Sequence, residues 1–134
     1  MLDTFLWLPV TTLDRLDYRV ADIQAVCADG VAALTTQQGD ATRLLFDDNS
    51  YQVVTMLEVL EHFPAAEQAL AEVCRVAQRF VLLSMLSKPD NNLEHIHLFS
   101  AATLKPLLRA AAATRVTFDY VPDHIIAIAK VGPA

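Results

Sequence analysis

Residues 39–62, GDATRLLFDDNSYQVVTMLEVLEH, decide the fold that this sequence predicts. The stretch runs from a Gly-Asp pair through a turn of Asp, Asp, Asn and Ser to the apolar segment YQVVTML at residues 51–57. Asx side chains favour turns because they hydrogen-bond to nearby backbone groups. A nearly continuous apolar run of this length is typical of a parallel strand buried on both faces. We therefore predict such a strand over residues 51–57, followed by a polar segment with Glu58, Glu61 and His62.

Strand and helix patterns alternate on both sides of this stretch. Upstream, residues 18–24 are strand-like with the acidic Asp22 near their end, and residues 25–34 are helix-like. Downstream, the patterns are a helix over 65–77, a strand over 80–85, a helix over 101–112 with Ser100 as its N-cap, and strands over 115–120 and 124–131. The last two strands are close enough in sequence to form an antiparallel hairpin. This order predicts an α/β fold with a mostly parallel sheet, helices on both faces and a C-terminal antiparallel hairpin.

The composition is that of a folded, acidic domain. Hydrophobic residues make up 54% of the 134 residues and charged residues 19%, which argues against disorder. The net charge of −6 argues against binding nucleic acid or an anionic membrane, since both need a basic surface. Two cysteines do not make a disulfide framework, so we expect a reduced, cytoplasmic setting. We predict a single domain over residues 1–134.

The ordered motifs together resemble a class I S-adenosylmethionine (SAM)-dependent methyltransferase of the small-molecule kind. Gly39-Asp40-Ala41 is similar to the family's Gly-Asp-Ala after the third strand, and residues 57–62, LEVLEH, resemble the segment after the fourth strand. Residues 94–100, EHIHLFS, resemble the loop and helix cap after the fifth strand. The final hairpin is similar to the reversed seventh strand of this Rossmann-like fold. The resemblance extends from about residue 18 to residue 131.

The resemblance implies SAM as the cofactor and assigns its binding residues. Asp22 takes the place of the acidic residue that accepts hydrogen bonds from the ribose hydroxyls. Asp40 takes the place of the residue that accepts a bond from the adenine amino group, with the Ala41 amide facing the ring. Leu57 and Glu58 lie in the segment that lines the methionine and substrate end.

The N-terminal part departs from the family. The family's glycine-rich loop receives the methionine part of SAM, whereas this chain has only Gly30, Gly39 and Gly132. Bulky side chains at residues 5–7 occupy the place where bare backbone is needed. We therefore expect residues 1–16 to be a truncated or remodelled version of the motif, with a usable turn at residues 8–12 if the enzyme interpretation holds. An incomplete front half would leave strand edges exposed, and we expect a homodimer to cover them.

Histidines are the best proton acceptors that the sequence offers near a methyl acceptor. A His beside a carboxylate titrates near neutrality and can take a proton from a hydroxyl or amine, which points to His62 and His97. The competing interpretation of Glu58, Glu61 and His62 is a solvated helix start, where Glu is favoured by the helix dipole. We predict no metal site, because His95 and His97 in an extended loop would point to opposite sides.

These patterns leave three functions open. The first is methyl transfer from SAM to a small molecule, with the protein orienting donor and acceptor. The second is a non-catalytic methyltransferase-fold scaffold that acts as a homodimer or binds a partner. The third is a fold that binds another nucleotide-like ligand. Residues 1–16 are expected to discriminate between the first two.

Overall fold

The structure is a computed structural model that describes residues 10–14, 21, 24–25, 34–87 and 99–132. It divides into two compact units, Met1–Asp40 and Ala41–Ala134. Among the described residues, no helix is both long enough and apolar enough to cross a membrane.

The first unit contains two parallel strands, β1 (Val10–Asp14) and β2 (Leu34–Gln38). They pair in register from Val10 with Leu34 to Asp14 with Gln38. Thr11 and Thr35 face each other across the pair, with 3.1 Å between their hydroxyl oxygens. Such Thr pairs add to the stability of neighbouring strands. Parallel strands need a crossover connection, usually a helix, and Ala21, Gln24 and Ala25 between them have helical backbone.

The turn at residues 8–12 was set as a condition for the enzyme interpretation; within that range, Val10, Thr11 and Thr12 lie in β1. Two expectations for this region are wrong where the structure describes it. The strand predicted over 18–24 is helical at Ala21 and Gln24. The helix predicted over 25–34 does not include Leu34, which begins β2. Short apolar runs fit either period, so pattern alone did not separate strand from crossover helix here.

The second unit is a mixed sheet of four strands with helices α1 (Ala66–Val76) and α2 (Ala101–Ala110). The strands are β3 (Tyr51–Leu57), β4 (Ala77–Leu86), β5 (Arg115–Val121) and β6 (His124–Lys130), in the order β3-β4-β6-β5. β3 and β4 are parallel, whereas β6 runs antiparallel to both β4 and β5. The predicted strand over 51–57 and the predicted terminal hairpin are therefore confirmed.

The core of this unit lies between the two helices and one face of the sheet. On β4, Val81, Leu83 and Met85 are buried, and α1 and α2 contribute Leu70 and Leu108 to the same cluster. Each fully buried side chain of this size stabilises the fold by about 1.5–3 kcal/mol. Cys74 also lies in this core, and burial raises the pKa of its thiol to about 11.

Both ends of α2 are fixed by local hydrogen bonds. Ser100 is the N-cap of α2, as the sequence predicted: its hydroxyl accepts from the Thr103 N–H, and the Thr103 hydroxyl accepts from the Ser100 N–H at 2.8 Å. At the other end, the Ala113 N–H donates to the Leu108 carbonyl and the Ala112 N–H to the Arg109 carbonyl, both at 3.0 Å. This is a Schellman ending, in which Ala112 takes a left-handed φ of 78°.

β3 differs from the prediction in its burial. We expected both of its faces to be covered, but Val53 is 52% exposed and Leu57 is 53% exposed. Met56, which faces the helices, is 5% exposed. The difference arises because both described helices of this unit pack on the same face of the sheet.

Candidate cofactor and substrate site

The carboxyl ends of β1 and β2 lie at one edge of the first sheet. Asp14 is the last residue of β1 and pairs in register with Gln38, the last residue of β2. Gly39 and the exposed Asp40 follow directly. Ligands of open parallel α/β sheets bind at this edge, because loops and unpaired backbone groups converge there. The first unit therefore presents two acidic residues at neighbouring strand ends.

Asp14 is a residue that the sequence interpretation missed. The family resemblance requires an acidic residue at the end of the strand that precedes the Gly-Asp-Ala strand, and Asp22 was assigned to it. In the structure, that strand is β1, which ends at Asp14. The short run VTTLD, β-branched and closed by an acid, was the available signal.

Two predicted site residues lie outside the described residues. Asp22 falls between the helical Ala21 and Gln24, and His97 falls within residues 88–98. Their proposed roles in cofactor binding and catalysis stay predictions.

In the second unit, Leu57 and Glu58 stand at the carboxyl end of β3. Glu58 has a φ of 59°. This is the left-handed region, which residues other than Gly and Asn rarely adopt. Its backbone N–H donates to the Ser84 carbonyl at 2.8 Å, the last bond between β3 and β4. The left-handed residue ends the strand and turns the chain into the short 3-10 helix Leu60–His62.

The carboxylate of Glu58 contacts an imidazole that the sequence did not assign to it. Glu58 Oε1 lies 2.9 Å from Nε2 of His124, the first residue of β6. The other ring nitrogen, Nδ1, lies 3.1 Å from the Pro122 carbonyl oxygen. A carbonyl oxygen only accepts, so Nδ1 donates its hydrogen in this contact, and Nε2 faces the Glu58 carboxylate. Both side chains are partly exposed, His124 to 34% and Glu58 to 43%.

The other acidic residue of this segment points inward. Glu61, in the 3-10 helix, is 2% exposed, so it is not the solvated carboxylate that the helix-start interpretation expected. His62 is half-buried in the same turn, and its N–H donates to the Val59 carbonyl at 3.0 Å. For Glu58, the imidazole in contact with the carboxylate is that of His124.

The loop that begins at Ala41 is held against α1. Gln68 donates to the Thr42 carbonyl at 2.9 Å, and Glu72 accepts from the Leu44 N–H at 2.7 Å. Arg75 donates to the carbonyls of Leu44 and Phe46 and to Asp48. Ala41 itself packs against the core of the second unit. The backbone amide of Ala41, predicted to face the adenine, therefore belongs to a segment fixed by side chains of α1.

The described residues hold no metal centre. Within residues 10–14, 34–87 and 99–132, no three His, Cys, Asp or Glu side chains come close enough together to bind one ion.

Acidic residues at the ends of the parallel strands in the first unit, and a reversed strand from a C-terminal hairpin in the second, are features of Rossmann-like methyltransferases. Comparison with known families agrees: the family described as a methyltransferase domain matches residues 3–83. The chain belongs to this methyltransferase-domain family.

A methyltransferase of known sequence is similar to this chain. It is 33% identical over 91 residues to the demethylmenaquinone methyltransferase of Beutenbergia cavernae, covering 65% of this chain and 38% of that protein. The chain thus spans less than half the length of this curated relative.

Solved structures share the fold at low identity. The crystal structure of the cyclase SpnF superposes with a TM-score of 0.78 at 13% identity, covering 95% of this chain and 67% of that one. The magnesium protoporphyrin IX methyltransferase of Synechocystis PCC 6803, solved with bound SAH, superposes with a TM-score of 0.72 at 17% identity. The match covers 92% of this chain and 64% of that one. A cyclase and a methyltransferase on one fold show that the fold alone does not set the reaction.

Proposed function

We propose that this chain acts in SAM-dependent methyl transfer to a small molecule, and that its first sheet provides the adenosine side of the SAM site. The observation that carries the proposal is the register of β1 and β2, which brings Asp14 to the strand end next to Gly39 and Asp40. We propose Asp14 for the ribose hydroxyls, beside Asp22, whose predicted role is not tested by the described residues. Asp40 and the Ala41 amide keep the adenine roles that the resemblance implies.

The donor and acceptor chemistry of these residues fits adenosine. A carboxylate accepts hydrogen bonds from vicinal hydroxyls, and a second carboxylate accepts from an exocyclic amino group. The methionine half has no glycine-rich loop in this sequence, which contains three widely spaced glycines. SAM, when bound, supplies an activated methyl group. We assign Leu57 and Glu58, at the end of β3, to the methionine and acceptor end.

Proton handling near the acceptor is assigned to histidines. His62 and His97 keep their predicted roles, and the Glu58–His124 pair is a third proton-exchanging group, supported by its 2.9 Å contact and its partial exposure. A base at this place would remove a proton from the acceptor hydroxyl or amine as the methyl group is transferred.

The acceptor is proposed from the relative. The Beutenbergia cavernae protein is named for demethylmenaquinone, so demethylmenaquinone is the first acceptor to assay with this chain.

We keep the proposed cytoplasmic location, and we propose no nucleic acid or membrane partner because of the net charge of −6.

Calorimetric titration with SAM and with its demethylated product tests the cofactor site. Asp14→Asn and Asp40→Asn should each weaken binding by about tenfold or more, because each removes a charged acceptor from a ligand group. Asp47→Asn is the matched control, since Asp47 is an exposed acid in the loop after Ala41. No binding to wild-type protein at millimolar ligand, or equal binding by all variants, would refute the proposal.

A non-catalytic homodimeric scaffold stays the second candidate, because the glycines of this sequence are three and widely spaced. Under this proposal, the chain keeps its fold and its self-association but binds neither SAM nor its product. Titration of folded protein of known oligomeric state distinguishes the two functions, since the scaffold gives association without ligand heat.

A further inference from the structure

The polar stripe of α1, made of Gln68, Glu72 and Arg75, faces the loop that begins at Ala41. These three residues are spaced four and three apart, so they lie on the same face of the helix. A polar helix face is ordinarily solvated, but the side chains of Glu72 and Arg75 are only 22% and 31% exposed. All three side chains hydrogen-bond to backbone groups of the loop. The polar stripe therefore packs against another segment of the chain.

The bonds from the polar stripe reach the loop at every second residue. The bonded backbone groups belong to Thr42, Leu44 and Phe46. These three residues are half-buried, whereas the three that alternate with them are exposed, Leu45 to 90%. Such alternation is that of an extended segment. A slip by one residue would turn Leu44, which packs against the core, outward. The polar stripe thus fixes the register of this segment.

Ala41 stands at the start of the segment. The carbonyl of the next residue, Thr42, accepts from Gln68 at 2.9 Å. Ala41 itself packs against the core of the second unit. A backbone N–H lies in the plane of its peptide, so its direction is set by the chain on either side of it. The direction of the Ala41 N–H is therefore tied to α1 through Thr42.

We propose that the polar stripe of α1 positions the adenine end of the SAM site by holding the Ala41 amide in the direction that meets the base. Because the adenine is given to Asp40 and the Ala41 amide under the proposed function, this role rests on that proposal. A donor that is already held in place raises affinity, since less ordering remains to be done on binding. Affinity and preference for adenine then depend on a helix face that the proposed ligand contacts do not include.

Calorimetry with two ligands tests the polar stripe. S-Adenosylhomocysteine (SAH) and its inosine counterpart differ at the base, where hypoxanthine has a carbonyl acceptor in place of the amino donor of adenine. A site made of a carboxylate and an N–H should favour the adenine form. Gln68→Ala removes the bond to the Thr42 carbonyl and should weaken SAH binding by about threefold to tenfold. The inosine form should be weakened less, so the preference for adenine falls, which a loss of stability alone would not cause.

A second variant and a control accompany Gln68→Ala. Arg75→Lys keeps the charge but loses the fork that reaches two loop carbonyls, so it should also lower the preference for adenine. Glu67→Ala is the matched control, because Glu67 is exposed next to Gln68 on α1, and it should bind both ligands as wild type does. Gln68 is exposed as well, so Gln68→Ala keeps the test valid if Arg75→Lys does not fold.

The outcomes separate this role from the SAM site itself. Wild-type affinity for both ligands in folded Gln68→Ala and Arg75→Lys would overturn the role of the polar stripe and leave the proposed function standing. An equal loss of both ligands would also overturn it, because the change would then not be directed at the base. Wild-type protein that binds neither SAM nor SAH at millimolar ligand would refute the proposed function and this role together.

Discussion

Arg75 and Glu72 stand three residues apart on α1 and bind the same loop together. The guanidinium donates to both Glu72 oxygens at 3.1 and 3.0 Å, while Glu72 Oε2 also accepts from the Leu44 N–H at 2.7 Å. Arg75 continues to the carbonyls of Leu44 and Phe46, at 2.9 and 2.8 Å. The two side chains therefore satisfy the backbone hydrogen-bonding groups of Leu44 and Phe46.

Replacing Arg75 should loosen this loop. Arg75→Lys keeps the charge but loses the fork that reaches two carbonyls and two carboxylates at once, so the loop carbonyls lose their donors. We expect a lower melting temperature and faster hydrogen exchange over residues 42–49, with Arg75→Ala more affected than Arg75→Lys. Lys105→Ala, an exposed cation on α2, serves as the control. Unchanged exchange in both Arg75 variants would contradict the role assigned to the guanidinium.

The same pair predicts how stability depends on pH. The hydrogen bonds from Arg75 hold the pKa of Glu72 below its ordinary value of 4.5. A carboxyl whose pKa is lower in the folded state stabilises the fold above its unfolded pKa, and this contribution is lost as the pH falls through the folded value. The difference in free energy of unfolding between wild type and Glu72→Gln should therefore be constant near neutrality and shrink as the pH falls below 4.5. Urea titrations at several pH values measure it, and a difference that grows on acidification would be the opposite result.

Gly132 should tolerate no side chain. Its φ is 79°, and a Cβ built on it would lie 2.6 Å from the Gln78 carbonyl oxygen, which belongs to the backbone of β4. Gly132→Ala must either strain the left-handed residue or displace the end of the sheet. We expect a loss of about 1–3 kcal/mol in the free energy of unfolding, measured by chemical denaturation. A loss no larger than that of an exposed surface substitution would show that the chain end moves away freely.

Ala112 should respond in the opposite direction. It occupies the left-handed position of the Schellman ending of α2, with a φ of 78°, where Gly is preferred because it has no Cβ. Ala112→Gly should raise the free energy of unfolding by about 0.5–1 kcal/mol. Ala102→Gly, at an exposed position within the same helix, should instead lower it by about 1 kcal/mol. Equal signs for the two variants would refute the assignment.

Most of the second unit could be predicted from the sequence, because its signals are local and strong. β3 begins and ends where the apolar run does, Ser100 caps α2, and the turn at Pro122 and Asp123 joins the hairpin. The first unit could not, because a short run such as VTTLD fits a turn or a strand equally well until its partner β2 is known.

The Glu58–His124 contact could not be predicted from local sequence patterns, for a different reason. The two residues are far apart in sequence and meet only because β6 returns antiparallel beside β4, with His124 in register with Leu86. The hairpin itself was predicted, so its register was the missing information. The left-handed backbone of Glu58 gave no signal either, since Glu has no preference for that conformation.

Because of that backbone, the residue preferred at position 58 should depend on which property is selected. If stability alone were selected in a library randomised at this position, Gly or Asn should replace Glu, because both relax the left-handed residue. If methyl transfer or ligand binding were selected instead, the carboxylate should persist despite the strain. The residue recovered from the two selections would reveal which of them shaped this turn.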